Sequence, residues 1–162
     1  MLDKKVILSS CGILAALTTA ANATSAHVIE PFVAAQRISG VDKHVIKKII
    51  KNESGGNPYA INTNSPLGSF YFKNRGAAEE AILMLKRKGY RSLDIGLAQV
   101  NTRWHPELDP IKLLDPSNNI IAAGYVLKKN SGGASDLREI VGRYHSKTPS
   151  LKTAYTKKIL GE

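Results

Sequence analysis

The stretch DKHVIKKIIKNESGG, residues 42–56, decides how the chain is read. Asp42 offers a side-chain acceptor suited to cap the free N–H groups at a helix start. Val45, Ile46, Ile49 and Ile50 recur at three- and four-residue spacing, which places them on one helical face. Gly55 and Gly56 supply the stop, since glycine readily takes the left-handed backbone that closes a helix. Glu53 follows Ile46, Ile49 and Ile50 at helical spacing, so its carboxylate is expected to project from the apolar face. It also lies in the last turn, at the negative end of the helix dipole. Both conditions disfavour the charged form and predict a raised pKa. The alternative is a carboxylate pointing into water from a frayed helix end. A carboxylic acid still protonated near neutral pH suits the cleavage of a glycosidic bond, whose leaving oxygen must receive a proton.

Outward from this helix the pattern stays mostly helical. Pro31 to Ser39 reads as a short helix ended by Gly40, and residues 57–74 are turn-rich with a short strand at Gly68 to Phe72. Ala77 to Lys88 reads as a helix closed by Gly89. Asp115-Pro116 starts another, running through Asn119, Ile120, Ala123, Gly124 and Leu127, because proline suits the first helical turn. Leu137, Ile140, Val141 and Tyr144 form an amphipathic repeat that Ser135 is placed to cap, and Leu151 to Leu160 is a final basic helix. Strand signals are few. The expected class is mainly α, in a single domain with a short β-hairpin.

The N-terminus differs in kind. Lys4 and Lys5 precede an apolar run from Val6 to Leu17, and Ala21-Asn22-Ala23 fits the small-residue rule for leader cleavage. The run falls short of the ~20 residues that span a bilayer. Residues 1–23 therefore read as a secretory signal and 24–162 as the mature domain, bound for the periplasm or cell envelope. The single cysteine, Cys11, lies in the leader, which leaves no thiol for disulfides or catalysis in the mature chain. The remainder is large enough to bury roughly two-thirds of its unfolded surface. A formal charge of +10 favours polyanionic partners. An exported protein meets an acidic envelope polymer or an anionic membrane face before it meets nucleic acid, so no nucleic-acid partner is expected. His27, His44, His105 and His145 show no ligand spacing with a carboxylate, and no phosphate-binding glycine loop occurs. Neither a metal nor a cofactor is expected, and the chain is read as a monomer.

Four blocks then stand in order. Residues 53–62, ESGGNPYAIN, resemble the first signature of the soluble lytic transglycosylase family, whose domain has a lysozyme-like fold. Gly96-Leu97-Ala98-Gln99-Val100-Asn101 is similar to the second signature, with Ala98 where most relatives carry methionine. Asn119 to Leu127, NIIAAGYVL, looks like the third. Gly142-Arg143-Tyr144-His145-Ser146 occupies the place of the fourth, with His145 and Ser146 in place of the usual Asn-Ala. The Tyr-His-Ser variant resembles small transglycosylases associated with secretion and conjugation machines. The resemblance covers about residues 38 to 147.

The resemblance implies a role for each matched position. Glu53 would be the catalytic acid and then base. Ser54 would help position the substrate or the carboxylate. Leu97, Ala98, Gln99 and Asn101 would line the saccharide cleft, and Tyr144 would hydrogen-bond near Glu53 and fix its orientation. The implied substrate is the glycan strand of peptidoglycan, cut between N-acetylmuramic acid and N-acetylglucosamine. The muramic 6-hydroxyl would attack the anomeric carbon and form a 1,6-anhydro end, so one protein carboxyl group suffices. Asp94 is the tempting second carboxylate. The preferred reading makes it a turn-fixing residue ahead of Gly96; if it reached the cleft, a lysozyme-type hydrolase would become credible. The insertion from Asn64 to Leu93 would form a hairpin and a lid, or brace the fold. Trp104 would be a sugar platform, or a core or loop anchor. A non-catalytic peptidoglycan-binding scaffold is the rival from another class, and a partner secretion, conjugation or pilus apparatus is the expected setting.

Overall fold

A computed structural model of the chain describes residues 29–161. The expected leader, residues 1–23, lies outside the described residues. The first helix, α1 (Pro31–Ser39), starts where the Glu30 side chain accepts from Val33 N and ends on Gly40, in left-handed backbone. In α2 (Lys43–Ser54), Asp42 caps by accepting from His44 N at 2.7 Å, and Gly55 closes the helix at φ +66°. Both ends of the deciding stretch are therefore set by the local chemistry of Asp and Gly. Ile46, Ile49 and Ile50 are buried along one face, as their spacing predicts.

A small sheet follows. Its strands are β1 (Ala60–Asn62), β2 (Ser69–Tyr71), β3 (Asp94–Ile95) and β4 (Val100–Asn101), in the order β2-β1-β3-β4 with antiparallel pairing throughout. The expected strand at 68–72 corresponds to β2. Ile61 stands opposite Phe70 on one side and Ile95 on the other, which anchors the sheet in the core. Between β2 and β3 lies α3 (Arg75–Arg87), which begins two residues before the expected Ala77 because Asn74 accepts from Ala77 N at 2.9 Å. It buries Ala78, Ile82 and Leu85, so this part of the 64–93 insertion braces the fold.

The remaining helices are α4 (Pro116–Ser131), α5 (Leu137–His145) and α6 (Pro149–Leu160), with a 3-10 turn at Lys112–Leu114 ahead of them. The cap of α5 is Asp136, accepting from Arg138 N, and not Ser135 as the sequence suggests. Two adjacent cap-forming residues compete there, and the helix takes the one directly before Leu137. Leu137 itself is exposed, so the apolar stripe of α5 starts one turn later than its periodicity implies. The long α4 packs against α1 and α5, and α6 packs against α5 and α2. Gly124 lets α1 and α4 approach closely: a Cβ there would lie 2.6 Å from the Ala35 backbone. The described chain is mainly α with a small antiparallel sheet, the lysozyme-like arrangement that was expected.

Asn119 joins the helical and sheet parts. It is fully buried on α4; its Nδ2 donates to Ile95 O at 2.9 Å and Leu113 O at 2.8 Å, and its Oδ1 accepts from Ala98 N at 2.8 Å. Removing it strands three buried backbone groups, each worth about 1–3 kcal/mol when left unsatisfied. Asn119→Ala is expected to lower stability by roughly 3 kcal/mol, read as a shift in the urea midpoint. Asn119→Asp should do at least as much harm, because an anion would face two carbonyl oxygens that need donors.

Candidate active site

Glu53 is presented by the last turn of α2, partly buried. Burial pushes its carboxyl above the ordinary carboxylate range, and three neighbours pull it back: the Tyr155 hydroxyl, the His145 side chain through its electrostatic influence, and the Asn52 amide. The Tyr155 hydroxyl donates to Oε1 at 2.7 Å, and Asn52 Nδ2 reaches the same oxygen at 3.5 Å. Asp94 adds a smaller upward push through its charge. The net result is a raised pKa, the direction the helix position predicts. Among the described residues, Glu53 Oε2 receives no hydrogen bond. The proton therefore has an oxygen of its own to occupy.

Tyr155 is the residue that sequence reasoning missed. It is 5% exposed, and burial, followed by the charge of Glu53, drives its phenol far above the usual range. It stays a neutral donor at any working pH. His145 stacks on it with ring centroids 4.7 Å apart and an interplanar angle of 2°. The local signal is faint: Tyr155 and Ile159 sit one turn apart on the buried face of a short basic helix. Its partner lies 102 residues earlier, out of reach of any spacing rule.

The second block forms a tight turn between β3 and β4, and the structure brings the other blocks onto its backbone. Ser54 Oγ donates to Leu97 O at 2.7 Å, and Asn119 holds Ala98 N. Tyr144 donates its hydroxyl to Ala98 O at 2.6 Å. The expected direct role of Tyr144 in orienting Glu53 is thus corrected: Tyr155 holds the carboxylate, and Tyr144 holds the turn beside it. Burial, and then the charges of Glu53 and Asp94, raise the Tyr144 phenol well above its ordinary pKa, so it too remains a donor. Gly96 and Gln99 both have left-handed backbone, at φ +78° and +48°. At Gly96 a Cβ would collide with the Asn119 amide and lie 2.7 Å from Leu113 O, so both conformation and space demand glycine. Gln99 adopts an unfavourable conformation for a residue with a side chain; its Nε2 offsets this by donating to Gly96 O at 2.9 Å and Ala60 O at 3.2 Å.

These contacts separate the predicted cleft residues by what they can offer. The Ala98 side chain is 0% exposed, so the replacement of methionine sits beneath the turn and cannot widen an open subsite. Leu97 and Ser54 are also buried. Gln99 is committed through Nε2, which leaves its Oε1 for a ligand. Asn101 donates to Asp94 Oδ1 at 2.6 Å and accepts from the Arg103 and Trp104 amides. Asp94 does not fix the turn through its side chain: that work falls to Gly96 N, which donates to Ala60 O at 2.8 Å. Asp94 lies instead within the electrostatic reach of Glu53, Tyr144 and His145. Its carboxyl is raised by burial and drawn back by hydrogen bonds from Asn101 and Asn64. Trp104 is 70% exposed, with the Arg103 guanidinium 5.8 Å from its ring centre, which removes the core reading and leaves a surface aromatic. Among the described residues, no group of three His, Cys, Asp or Glu side chains is arranged to hold a metal ion.

Comparison with protein-family models gives a match to the transglycosylase SLT domain over residues 30–158, while no curated protein and no solved structure matches the chain. The matched span takes in α1 and all but the last two residues of α6, including the Tyr155 that holds Glu53. The protected acid, the turn that three blocks pin and the family match agree: the chain belongs to the transglycosylase SLT-domain family, which carries out transglycosylase-type cleavage of peptidoglycan.

Proposed function

We propose that the chain cuts the β-1,4 bond between N-acetylmuramic acid and N-acetylglucosamine without consuming water, with Glu53 as the single acid/base. The observation that carries this reading is the raised Glu53 carboxyl, held at Oε1 by a phenol that cannot ionise. Glu53 gives its proton to the glycosidic oxygen as the C1–O bond breaks. The resulting carboxylate then takes the proton of the muramic 6-hydroxyl as O6 bonds to C1. Two products leave, one of them a 1,6-anhydro sugar, and Glu53 is protonated again for the next turnover. Gln99 Oε1 is the polar group offered to the saccharide, and Asn101 shapes the rim through its bonds to Asp94 and to the Arg103 and Trp104 amides. Ser54, Ala98 and Tyr144 act through the turn they hold.

Asp94 favours a second reading. A carboxylate in the electrostatic field of the acid could direct a water molecule, and the enzyme would then be a hydrolase of the same fold. The products decide between them: anhydro ends weigh about 18 Da less than reducing ends, the mass of the water that hydrolysis adds.

The setting is the cell envelope, reached by the N-terminal leader. There the enzyme opens the wall locally for a secretion or conjugation apparatus. The Tyr144-His145-Ser146 variant and the small size of the domain support this reading. Tagged protein should concentrate at sites of the apparatus; an even distribution over the envelope in cells with an active apparatus would remove this part of the proposal.

Glu53→Gln is expected to reduce anhydromuropeptide release from purified sacculi by about a thousandfold. Equal release by variant and wild type would leave only a binding scaffold. Tyr155→Phe tests the electrostatics. The phenol stabilises the carboxylate, so its loss should raise the Glu53 pKa further. The acid form is the active one, and activity falls as pH rises through that pKa. The alkaline limb of the rate profile should therefore move to higher pH in Tyr155→Phe, with a lower maximal rate from the poorly held carboxyl. A limb that moves to lower pH would contradict the assigned hydrogen bond.

A further inference from the structure

The turn between β1 and β2, residues 63–68, closes on bonds of its own. Thr63 N donates to Gly68 O at 3.1 Å, Gly68 N to Ser65 O at 2.9 Å, and Asn64 N to Asn62 Oδ1 at 2.8 Å. None of these bonds uses the Asn64 side chain. The Asn64 backbone is nonetheless left-handed, at φ +49°, a conformation that glycine takes readily and asparagine only tolerates. What the side chain does lies outside the turn. Its Nδ2 crosses to Ser92 Oγ at 3.4 Å, and the amide hydrogen-bonds to Asp94 on β3. From β4, Asn101, the register partner of Asp94, donates to Asp94 Oδ1 at 2.6 Å and to Ser92 Oγ at 3.1 Å. Asn101 is not free to reverse its amide, because its Oδ1 is held by the Arg103 and Trp104 N–H groups.

Asp94 therefore meets amide donors from both neighbouring elements, and these favour the carboxylate: a neutral carboxyl would turn its own O–H towards a donor. The titratable groups that face it are Glu53 from α2 and Tyr144 and His145 from α5. Tyr144 keeps its proton, and His145 acts on both carboxyls in the same direction, so neither decides between them. The amides of Asn64 and Asn101 do decide, since of the two carboxyls they reach Asp94. We propose that Asn64 is a positioning residue of the catalytic site: together with Asn101 it fixes the negative charge on Asp94, and that charge keeps the proton on Glu53. The inference deepens the acid role proposed for Glu53 and rests on it. It gives the β1–β2 turn, at the head of the 64–93 insertion, a part in the chemistry that is exerted through Asp94.

Asn64→Gly removes the amide from a backbone that suits glycine, and Asn64→Ala removes it from one that strains alanine. The two variants should differ in stability, with the glycine variant the higher in thermal midpoint, yet change the chemistry alike. Without the Asn64 donor, Asp94 ionises less readily; with less negative charge beside it, Glu53 gives up its proton at lower pH. The alkaline limb of the kcat profile should move down by about half a pH unit in both variants, a loss of roughly threefold in rate above the limb. A displacement that tracks stability, or none in Asn64→Gly, would overturn the proposal. In an Asp94→Asn background the further change Asn64→Gly should leave the limb in place; a second displacement there would show that Asn64 does not act through Asp94, and would overturn it too. The side-chain carboxyl carbons of Glu53 and Asp94, followed by NMR, report the proton without turnover. In Asn64→Gly, Asp94 should titrate at higher pH than in wild type and Glu53 at lower pH. Protein that shows these titrations but cleaves no sacculi would refute the cleavage reading and leave the placement of the proton standing; cleavage with unmoved titrations would do the reverse.

Discussion

The site depends on the backbone of one tight turn, Gly96 to Gln99. Its conformation is costly: Gly96 and Gln99 both stand in the left-handed region, and Gln99 has a side chain. Left alone, the turn would relax. It is held because separate parts of the chain each bond to it: Ser54 from α2, Asn119 from α4 and Tyr144 from α5 once each, and Ala60 O from β1 twice. The four motif blocks, scattered along the sequence, are therefore the components of a single clamp. Ser54, Asn119 and Tyr144 meet on the backbone of this turn. Glu53 sits beside Ser54, so whatever fixes Ser54 to Leu97 also fixes the acid against the sheet.

A second constraint concerns the donor to Glu53. A strong or charged donor, such as a lysine at hydrogen-bond distance, would stabilise the carboxylate and lower the pKa that acid catalysis needs raised. No donor at all would leave the carboxyl free to turn. A buried phenol lies between these extremes: it fixes one oxygen and offsets only part of the desolvation, as the net upward shift of Glu53 shows. The stacked His145 ring limits how Tyr155 can tilt, so the aromatic pair sets the direction of the O–H bond. Histidine in place of asparagine at this position therefore adds packing as well as a polar group.

The helices were legible because their ends are local chemistry. Asp42 and Asp115 each cap within three residues, and Gly40, Gly55 and Gly89 mark helix ends that the sequence alone can show, whereas the Asn74 cap went unread and α3 starts two residues early. The burial of Glu53's helix face was legible for the same reason. The strand β1 was not, because a three-residue strand is too short to display a period of two, and Ala60-Ile61-Asn62 lay inside a motif read for its chemistry. The roles of Tyr144 and Tyr155 could not be divided from sequence. Both are tyrosines on apolar helix faces, and only the packing of α6 against α2 decides which one reaches the acid. Asp94 was misread because a carboxylate just ahead of a glycine turn has a common local role, which here the Ala60 carbonyl performs.

Asp94 sharpens the question of what keeps the acid protonated. Burial raises both carboxyls, and two nearby like charges resist ionising together. Whichever has better donors ionises first and holds the proton on the other. Asp94 accepts from Asn101 at 2.6 Å and has Asn64 besides; Glu53 has Tyr155 at 2.7 Å and a weak amide contact at 3.5 Å. Those donors favour charge on Asp94 and the proton on Glu53. In the proposed mechanism a second carboxylate at this place would serve an acid-catalysed cleavage whether or not it touched water, and its presence alone does not make the enzyme a hydrolase. In the proposed reaction the product would be decided at the anomeric carbon, by whether the muramic 6-hydroxyl or a solvent molecule gets there first.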